Sequence, residues 1–203
     1  MILPGAKRYW EREEAIRELS ETWGSGGADL VLLAIRRMFL ELPAGQRRSV
    51  LDVGCGPGRV LSMLSDLDFI YYVGIDQSQE MIDEFLNTDD QRVSGQVLEM
   101  SDLPKIHPDV VLCIDVLQHQ TDPVGDLNRL LASGQYKHLI ATLLVGSEHK
   151  QHDLPDGPGS IVVARPELNF LYEPILTTRI GETWIVRFDH VDLPETLAPQ
   201  LPF

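Results

Sequence analysis

Short apolar runs alternate with amphipathic stretches through the middle of the chain. The apolar runs end at glycine or polar residues and are typical of buried strands, which we predict at 49–54, 69–76, 96–99, 109–115 and 138–146. Apolar residues at helical spacing predict helices at 59–67, 79–87 and 123–133. Strands that alternate with helices indicate βαβ units, so we predict an α/β fold with a mostly parallel sheet and helices on both faces.

The pattern changes on both sides of this region. Two helices are predicted before it, at 7–22 and 28–42. After it, the polar, Pro- and Gly-rich stretch 147–160 predicts a loop, and two strands that turn at Ile180-Gly181 follow. Such a terminal antiparallel pair can close an otherwise parallel sheet. Ligands of these sheets bind beyond the carboxyl ends of the strands, so the functional site is expected there.

Charge and cysteine content narrow the choice of function. The 203 residues include 17 Lys and Arg against 31 Asp and Glu, which gives a net charge of −14. Nucleic-acid binding depends on neutralising phosphates with basic side chains, so we predict no nucleic-acid partner. No apolar stretch has the length of a signal peptide or a membrane span, so no membrane partner is predicted. The two cysteines suit a reducing compartment, which predicts a cytoplasmic protein.

The strongest chemical signal is the sequence VLDVGCGPGRVL at 50–61, where three glycines follow a predicted strand at alternate positions. Glycine lets the backbone turn sharply and approach a ligand without a Cβ between them. The dinucleotide fingerprint of dehydrogenases would need glycine at position 59, which is Arg59. Asp52 would repel a pyrophosphate but suits a ligand with an ammonium group. The turn therefore argues against a nicotinamide-dependent dehydrogenase.

A second signal is Asp76, at the end of the next predicted strand. A carboxylate at this place can accept both hydroxyl protons of a ribose. The alternative is that Asp76 caps the helix that begins near Ser78. The sequence predicts a nucleoside-binding acid and leaves the capping interpretation open.

Four motifs in order resemble class I S-adenosylmethionine (SAM)-dependent methyltransferases. They are LDVGCGPG, GIDQSQEMI, LEMSDLP and DVVLCIDVLQHQTDP, and together they cover about residues 49–146. The resemblance implies a Rossmann-like sheet of seven strands, mostly parallel with an antiparallel terminal pair, and SAM as the cofactor. It implies methyl transfer, which we expect to reach oxygen or nitrogen of a small-molecule acceptor. A protein or peptide acceptor, and a cofactor-binding module without turnover, remain alternatives.

The same resemblance implies which residues bind the cofactor. The glycine turn and the acid before it would hold the amino-carboxylate end, Asp76 the ribose, Glu99 with Met100 the adenine edge, and the segment after the fourth strand the sulfur. Asp102 is an alternative to Glu99 at the adenine. The implied cofactor-binding residues are Asp52, Gly54, Cys55, Gly56, Gly58, Asp76, Gln77, Glu99, Met100 and Ile114.

His119 is the candidate catalytic residue. It follows the fourth predicted strand at the active edge of the sheet, and a hydroxyl acceptor would need a general base with a pKa near neutral pH. The alternative is a histidine that caps a helix or faces solvent. The sequence His149, His152 and Asp153 has weak metal-ligand spacing, so we predict no metal site.

We therefore expect one domain over residues 1–203. Residues 49–146 would bind the cofactor, and residues 147–192 would supply an acceptor-side loop and the terminal strands. Residues 1–45 would form a helical segment that either covers the acceptor or packs against the edge of the sheet. The sequence leaves the oligomeric state open.

Overall fold

The fold is described by a computed structural model over residues 26–152 and 159–189. The predicted helix at 7–22 lies outside these residues. Four α-helices are described, and they are α1 Gly26–Leu40, α2 Arg59–Leu64, α3 Gln79–Phe85 and α4 Pro123–Ser133. Nine strands are described, and they are β1 Ser49–Val53, β2 Tyr71–Asp76, β3 Val93–Val97, β4 Val110–Cys113, β5 His138–Gly146, β6 Lys150–His152, β7 Ser160–Ala164, β8 Leu176–Ile180 and β9 Thr183–Asp189.

The sheet begins with five parallel strands in the order β3-β2-β1-β4-β5. Strand β9 then pairs with β5 in the antiparallel sense and carries β8 on its other edge. This confirms the α/β fold, the mostly parallel sheet and the antiparallel terminal pair. The order reverses between β1 and β4, so the carboxyl ends of β1, β2 and β4 surround the switch point where ligands bind.

The described sheet has nine strands rather than the predicted seven. The two additional strands are β6 and β7, which pair with each other while β7 extends the end of β5. The polar composition of 147–160 predicted a loop there. Strand β7, with the sequence SIVVA, is β-branched and buried, and it was missed because it begins at the last residue of that polar stretch.

Apolar clusters fill both faces of the sheet, as the βαβ pattern predicts. Helices α1, α2 and α3 pack on one face through residues such as Ile35, Leu64 and Phe85. Helix α4 packs on the other through Leu127 and Leu131. Successive β1 residues point to opposite faces, so Asp52 shares the face of α2 and α3. Within the described ranges, none of the helices has the length and apolar character needed to cross a bilayer.

Candidate active site

A cleft of about 710 Å³ opens at the carboxyl ends of β1, β2 and β4. Of the predicted site residues, only Asp52 and Gly58 do not line it. The structure brings together on its walls Gly54, Cys55, Gly56, Asp76, Gln77, Glu99, Met100, Ile114 and His119. Asp102, the alternative to Glu99, is not part of the lining. Predicted residues as far apart in the chain as Gly54 and His119 therefore share one site.

The glycine turn has the bare backbone that the sequence predicts. The N–H groups of Gly54 and Cys55 both donate to the Ile75 carbonyl, at 2.7 and 3.0 Å, which ties the turn to the end of β2. Gly54 has φ +70°, and a Cβ on it would lie 2.3 Å from Cγ2 of Val116. Gly56 has φ +51°, and a Cβ there would meet no heavy atom within 4 Å. Gly54 is therefore required by packing, whereas Gly56 borders open space in the cleft.

This difference predicts separate outcomes for two alanine substitutions. Gly54→Ala forces Val116 to move and adds left-handed strain, so we expect a lower unfolding temperature together with weaker ligand binding. Gly56→Ala carries the strain of about 1–2 kcal/mol without the clash, and its methyl group narrows the cleft. We expect a smaller thermal shift and a clear loss of affinity for S-adenosylhomocysteine (SAH). Thermal unfolding and calorimetry measure the two effects, and wild-type affinity in Gly56→Ala would contradict this reading of the turn.

Gly58 and Asp52 lie behind the turn. Gly58 is the N-cap residue of α2 at φ +92°, where a Cβ would lie 3.3 Å from Cδ2 of Phe85. Asp52 is buried, and its Oδ2 accepts a 2.8 Å hydrogen bond from the hydroxyl of Tyr72. Burial raises the pKa of Asp52 to about 7, against the lowering effect of the Tyr72 hydrogen bond. Tyr72 is a partner that the sequence pattern did not reveal, because its place in a strand indicated only packing.

Asp76 is both a structural and a binding candidate. Its two carboxylate oxygens accept from the backbone N–H groups of Gly56 (3.1 Å) and Ser78 (3.0 Å). Burial raises the pKa of Asp76, while these backbone hydrogen bonds oppose that shift. The helix itself is capped by Ser78, whose Oγ accepts from the Met81 N–H. A carboxylate has about four acceptor positions, so Asp76 can hold the turn and still accept from a diol.

His119 lies in a short 3₁₀ turn, Leu117–His119, between β4 and α4. Its Nδ1 is 2.6 Å from the carbonyl oxygen of Gly159. Because a carbonyl only accepts, Nδ1 carries the proton and Nε2 is the basic nitrogen. Burial lowers the pKa of His119, in spite of the raising effect of the Gly159 hydrogen bond and of the Asp115 charge. The neutral form, which a general base requires, therefore predominates at neutral pH.

An ion pair that the sequence pattern did not predict crosses the cleft. Arg59 Nη1 lies 3.7 Å from Asp115 Oδ2, and both residues line the cleft. Asp115 has φ +58°, and its N–H donates to the buried Thr142 hydroxyl at 2.7 Å. The sequence placed Asp115 in the segment after the fourth strand. Its left-handed backbone and its pairing with Arg59 depend on contacts across the sheet.

These features together fit an adenosyl sulfonium cofactor with an amino acid tail. The turn at Gly56 leaves the space that a side chain would fill, Asp76 offers acceptor positions for a diol, and the cleft walls are largely apolar between them. On a Rossmann-like sheet with an antiparallel last strand, this is the arrangement expected of a class I SAM-dependent methyltransferase.

Comparison with known families agrees with this class. Residues 51–134 match the model of a family described as a methyltransferase domain. The match assigns these residues to a methyltransferase domain, and solved structures that share the fold contain bound SAM or SAH.

Solved structures share the fold. A SAM-dependent methyltransferase from Leishmania major superimposes with a TM-score of 0.72 at 14% identity, over 90% of this chain and 81% of that one. The magnesium protoporphyrin IX methyltransferase of Synechocystis, with bound SAM, gives 0.66 at 16% identity over 91% and 96%. At these identities the likeness concerns the fold, and it confirms the predicted fold class.

Curated relatives overturn one prediction. The tRNA U34 carboxymethyltransferase of Aliivibrio fischeri is 32% identical over 129 residues, which are 59% of this chain and 39% of that protein. The enzyme of the same name from Pectobacterium atrosepticum is 28% identical over 168 residues, or 78% and 49%. The chain thus spans less than half the length of these relatives. Because their named substrate is a tRNA, the prediction of a small-molecule acceptor and no nucleic-acid partner is wrong.

The error has a physical source. A net charge of −14 sums the whole chain and says nothing of one place on it. The arginines that cluster in the sequence do not line the cleft, namely Arg36, Arg37, Arg47 and Arg48. Three other cations do, namely Arg59, Lys105 and Arg129. The net charge of the chain does not predict that these cations lie together at the cleft.

Proposed function

We propose that this domain transfers a methyl group from SAM to an RNA acceptor, with residues 49–146 binding the cofactor and His119 acting as general base. The bound cofactor supplies an electrophilic methyl group on a sulfonium. The glycine turn and Asp76 would bind the cofactor by its two ends, which orients it along the cleft. Orientation of this kind is the main contribution that a methyltransferase makes to an in-line displacement.

The observation that carries the role of His119 is its hydrogen bond to Gly159. The Nδ1–H donated to that carbonyl fixes the tautomer, so the lone pair is on Nε2 in a residue that lines the cleft. Burial favours the neutral ring. A neutral imidazole held in one orientation can accept the proton that a hydroxyl, phenolic or ring N–H acceptor loses on methylation.

RNA as the acceptor is supported by the named substrate of the curated relatives. The negative net charge of the chain limits how RNA would bind. An acidic chain repels an extended phosphate backbone, so contacts would be confined to the nucleotide at the cleft. Lys105 and Arg129 are the exposed cations of the cleft lining and would meet the phosphates beside that nucleotide.

The test supplies labelled SAM together with total RNA, a protein extract and a metabolite extract in separate reactions. We expect label in the RNA reaction, in material that ribonuclease releases and protease does not. Label in the protein or metabolite fraction instead would overturn the RNA acceptor and leave the methyltransferase assignment in place.

A charge substitution gives the matched control for this assay. Lys105→Gln removes an exposed cation of the cleft, and we expect a raised KM for RNA with unchanged SAH affinity. Lys137→Gln removes an exposed cation outside the cleft lining, which pairs with Asp109, and should leave the KM for RNA as it is. Equal effects of the two substitutions would contradict RNA binding at the cleft.

A further inference from the structure

The residue that follows His119 is a buried glutamine. Gln120 comes directly after the 3₁₀ turn with an extended backbone, and its N–H donates to the Leu117 carbonyl at 3.0 Å. The residue is 7% exposed, although glutamine usually lies at the surface of a protein. It lines the cleft together with His119. The segment after β4 therefore brings a side-chain amide to the same cleft as the proposed base.

The side-chain amide of Gln120 makes no hydrogen bond to any residue that the structure describes. A primary amide has two N–H donors and an oxygen that accepts, and buried groups of this kind are nearly always paired. A buried donor or acceptor without a partner lowers the free energy of unfolding. The amide atoms of Gln120 are not completely enclosed, so a ligand in the cleft can supply the missing hydrogen bonds.

The position of Gln120 favours the acceptor over the cofactor as this ligand. The residues expected to contact the adenosine follow other strands, with Asp76 at the end of β2 and Glu99 after β3. Gln120 instead follows β4 and is next in the chain to His119, which is proposed to take a proton from the acceptor. The amide therefore belongs to the part of the cleft lining that supplies the proposed base.

We propose that Gln120 determines acceptor specificity by pairing its amide with the hydrogen-bonding edge of the acceptor base, while His119 serves the reacting atom. Every nucleobase has a ring edge on which a donor lies beside an acceptor, and the amide complements both at once. A phosphate only accepts, so it would leave the amide oxygen unpaired. A base that fails to match the amide leaves buried polar groups unpaired, which is the source of strong discrimination. The inference rests on the proposed RNA acceptor.

Gln120→Leu tests this role on the whole chain, with total RNA and labelled SAM as substrates. Leucine has a similar volume and removes the unpaired amide, so the unfolding temperature should stay equal or rise. We expect the KM for RNA to rise by about 10–100-fold, the value of a bidentate contact to a base. SAH affinity, measured by calorimetry, should not change. After digestion to nucleosides, wild-type label should be concentrated in one nucleoside, and label from the variant should spread over several.

Two further variants separate base recognition from burial of the side chain. Gln120→Glu keeps the shape, but an ionised carboxylate cannot donate and repels the acceptor atom of the base. Its KM for RNA should rise at least as much as that of the leucine variant. Gln118→Leu is the matched control, because Gln118 is buried to a similar degree, at 9% exposed, and does not line the cleft. It should keep the wild-type KM and the wild-type distribution of label.

The contrary results are distinct. Equal weakening of RNA and SAH by Gln120→Leu would make Gln120 a cofactor contact, and a lower unfolding temperature with wild-type KM would make it a structural residue. Either result overturns its role in specificity, as does an unchanged KM with an unchanged distribution of label. A wild-type chain that labels no RNA overturns the RNA acceptor and this inference with it. A wild-type chain that labels RNA, with no effect of Gln120→Leu, overturns the inference alone.

Discussion

Asp76→Ala is expected to weaken SAH binding by about 1–3 kcal/mol, or roughly 5- to 150-fold. The substitution removes the proposed acceptor of the ribose hydroxyls. It also leaves the N–H groups of Gly56 and Ser78 without the carboxylate that accepts from them, so the turn loses its tie to β2 at this point. Both effects lower the affinity for the cofactor. The first removes a direct contact, and the second disturbs the glycine turn. Calorimetry with SAH measures the loss.

Two further variants separate binding from folding at this position. Asp76→Asn keeps the size and one acceptor oxygen, so its affinity should lie between wild type and Asp76→Ala. Asp83→Ala removes an exposed carboxylate of α3 that accepts only from Gln79 among its described hydrogen bonds, and SAH affinity should not change. A lower unfolding temperature for Asp76→Ala with wild-type affinity would mean that Asp76 only supports the start of the helix.

The parts of the fold that the sequence predicts well are those with a strong local pattern. The bounds predicted for α4 and β5, 123–133 and 138–146, agree with the structure. In α4, Asp122 caps the helix and Pro123 begins it, and β5 is a long buried apolar run. Strand β3 was placed too late, at 96–99 instead of Val93–Val97. It lies at the edge of the sheet with mostly exposed or half-exposed residues, so it lacks the apolar run that marks the other strands.

In the candidate site, too, the features with a local sequence pattern were predicted and those that depend on long-range contacts were not. The glycine turn and Asp76 follow strand ends directly, so their convergence is predictable from the rule that parallel strands end at one edge of the sheet. The ion pair of Arg59 with Asp115 needs the left-handed backbone at Asp115 and the hydroxyl of Thr142, which is 27 positions away. In the sequence, Arg59 served only to exclude a dehydrogenase. These contacts depend on the register of β4 against β5, which the local pattern of apolar and polar residues does not predict.

The acceptor is the least predictable feature. Net charge argued against a nucleic-acid acceptor, and the curated relatives point to RNA. Cofactor binding is encoded by short motifs because one ligand imposes the same backbone geometry wherever it binds. Acceptor recognition depends instead on which side chains meet at the open end of the cleft, and these come from separate parts of the chain.

His119→Asn is expected to lower kcat by about 10²- to 10⁴-fold, the usual contribution of a general base. SAH affinity should stay within about twofold of wild type, because the proposed role is towards the acceptor. Burial lowers the pKa of His119 below its ordinary value of 6.5. The neutral, active form therefore persists to more acidic pH than for an exposed histidine, and wild-type kcat should fall only as the pH drops below 6.5. The pH profile of kcat should lose this acidic limb in His119→Asn.

His107→Asn is the matched control, because His107 is exposed and does not line the cleft. It should keep wild-type kcat and the same acidic limb. Should His119→Asn retain full turnover with an unaltered pH profile, the base must be sought elsewhere, and the hydrogen bond to Gly159 would serve to hold the turn after β4 against the start of β7. A low kcat together with an unchanged acidic limb would likewise separate His119 from the proton transfer, since the group that titrates would still be present. The pH profile thus decides the chemical role in a way that the loss of rate alone does not.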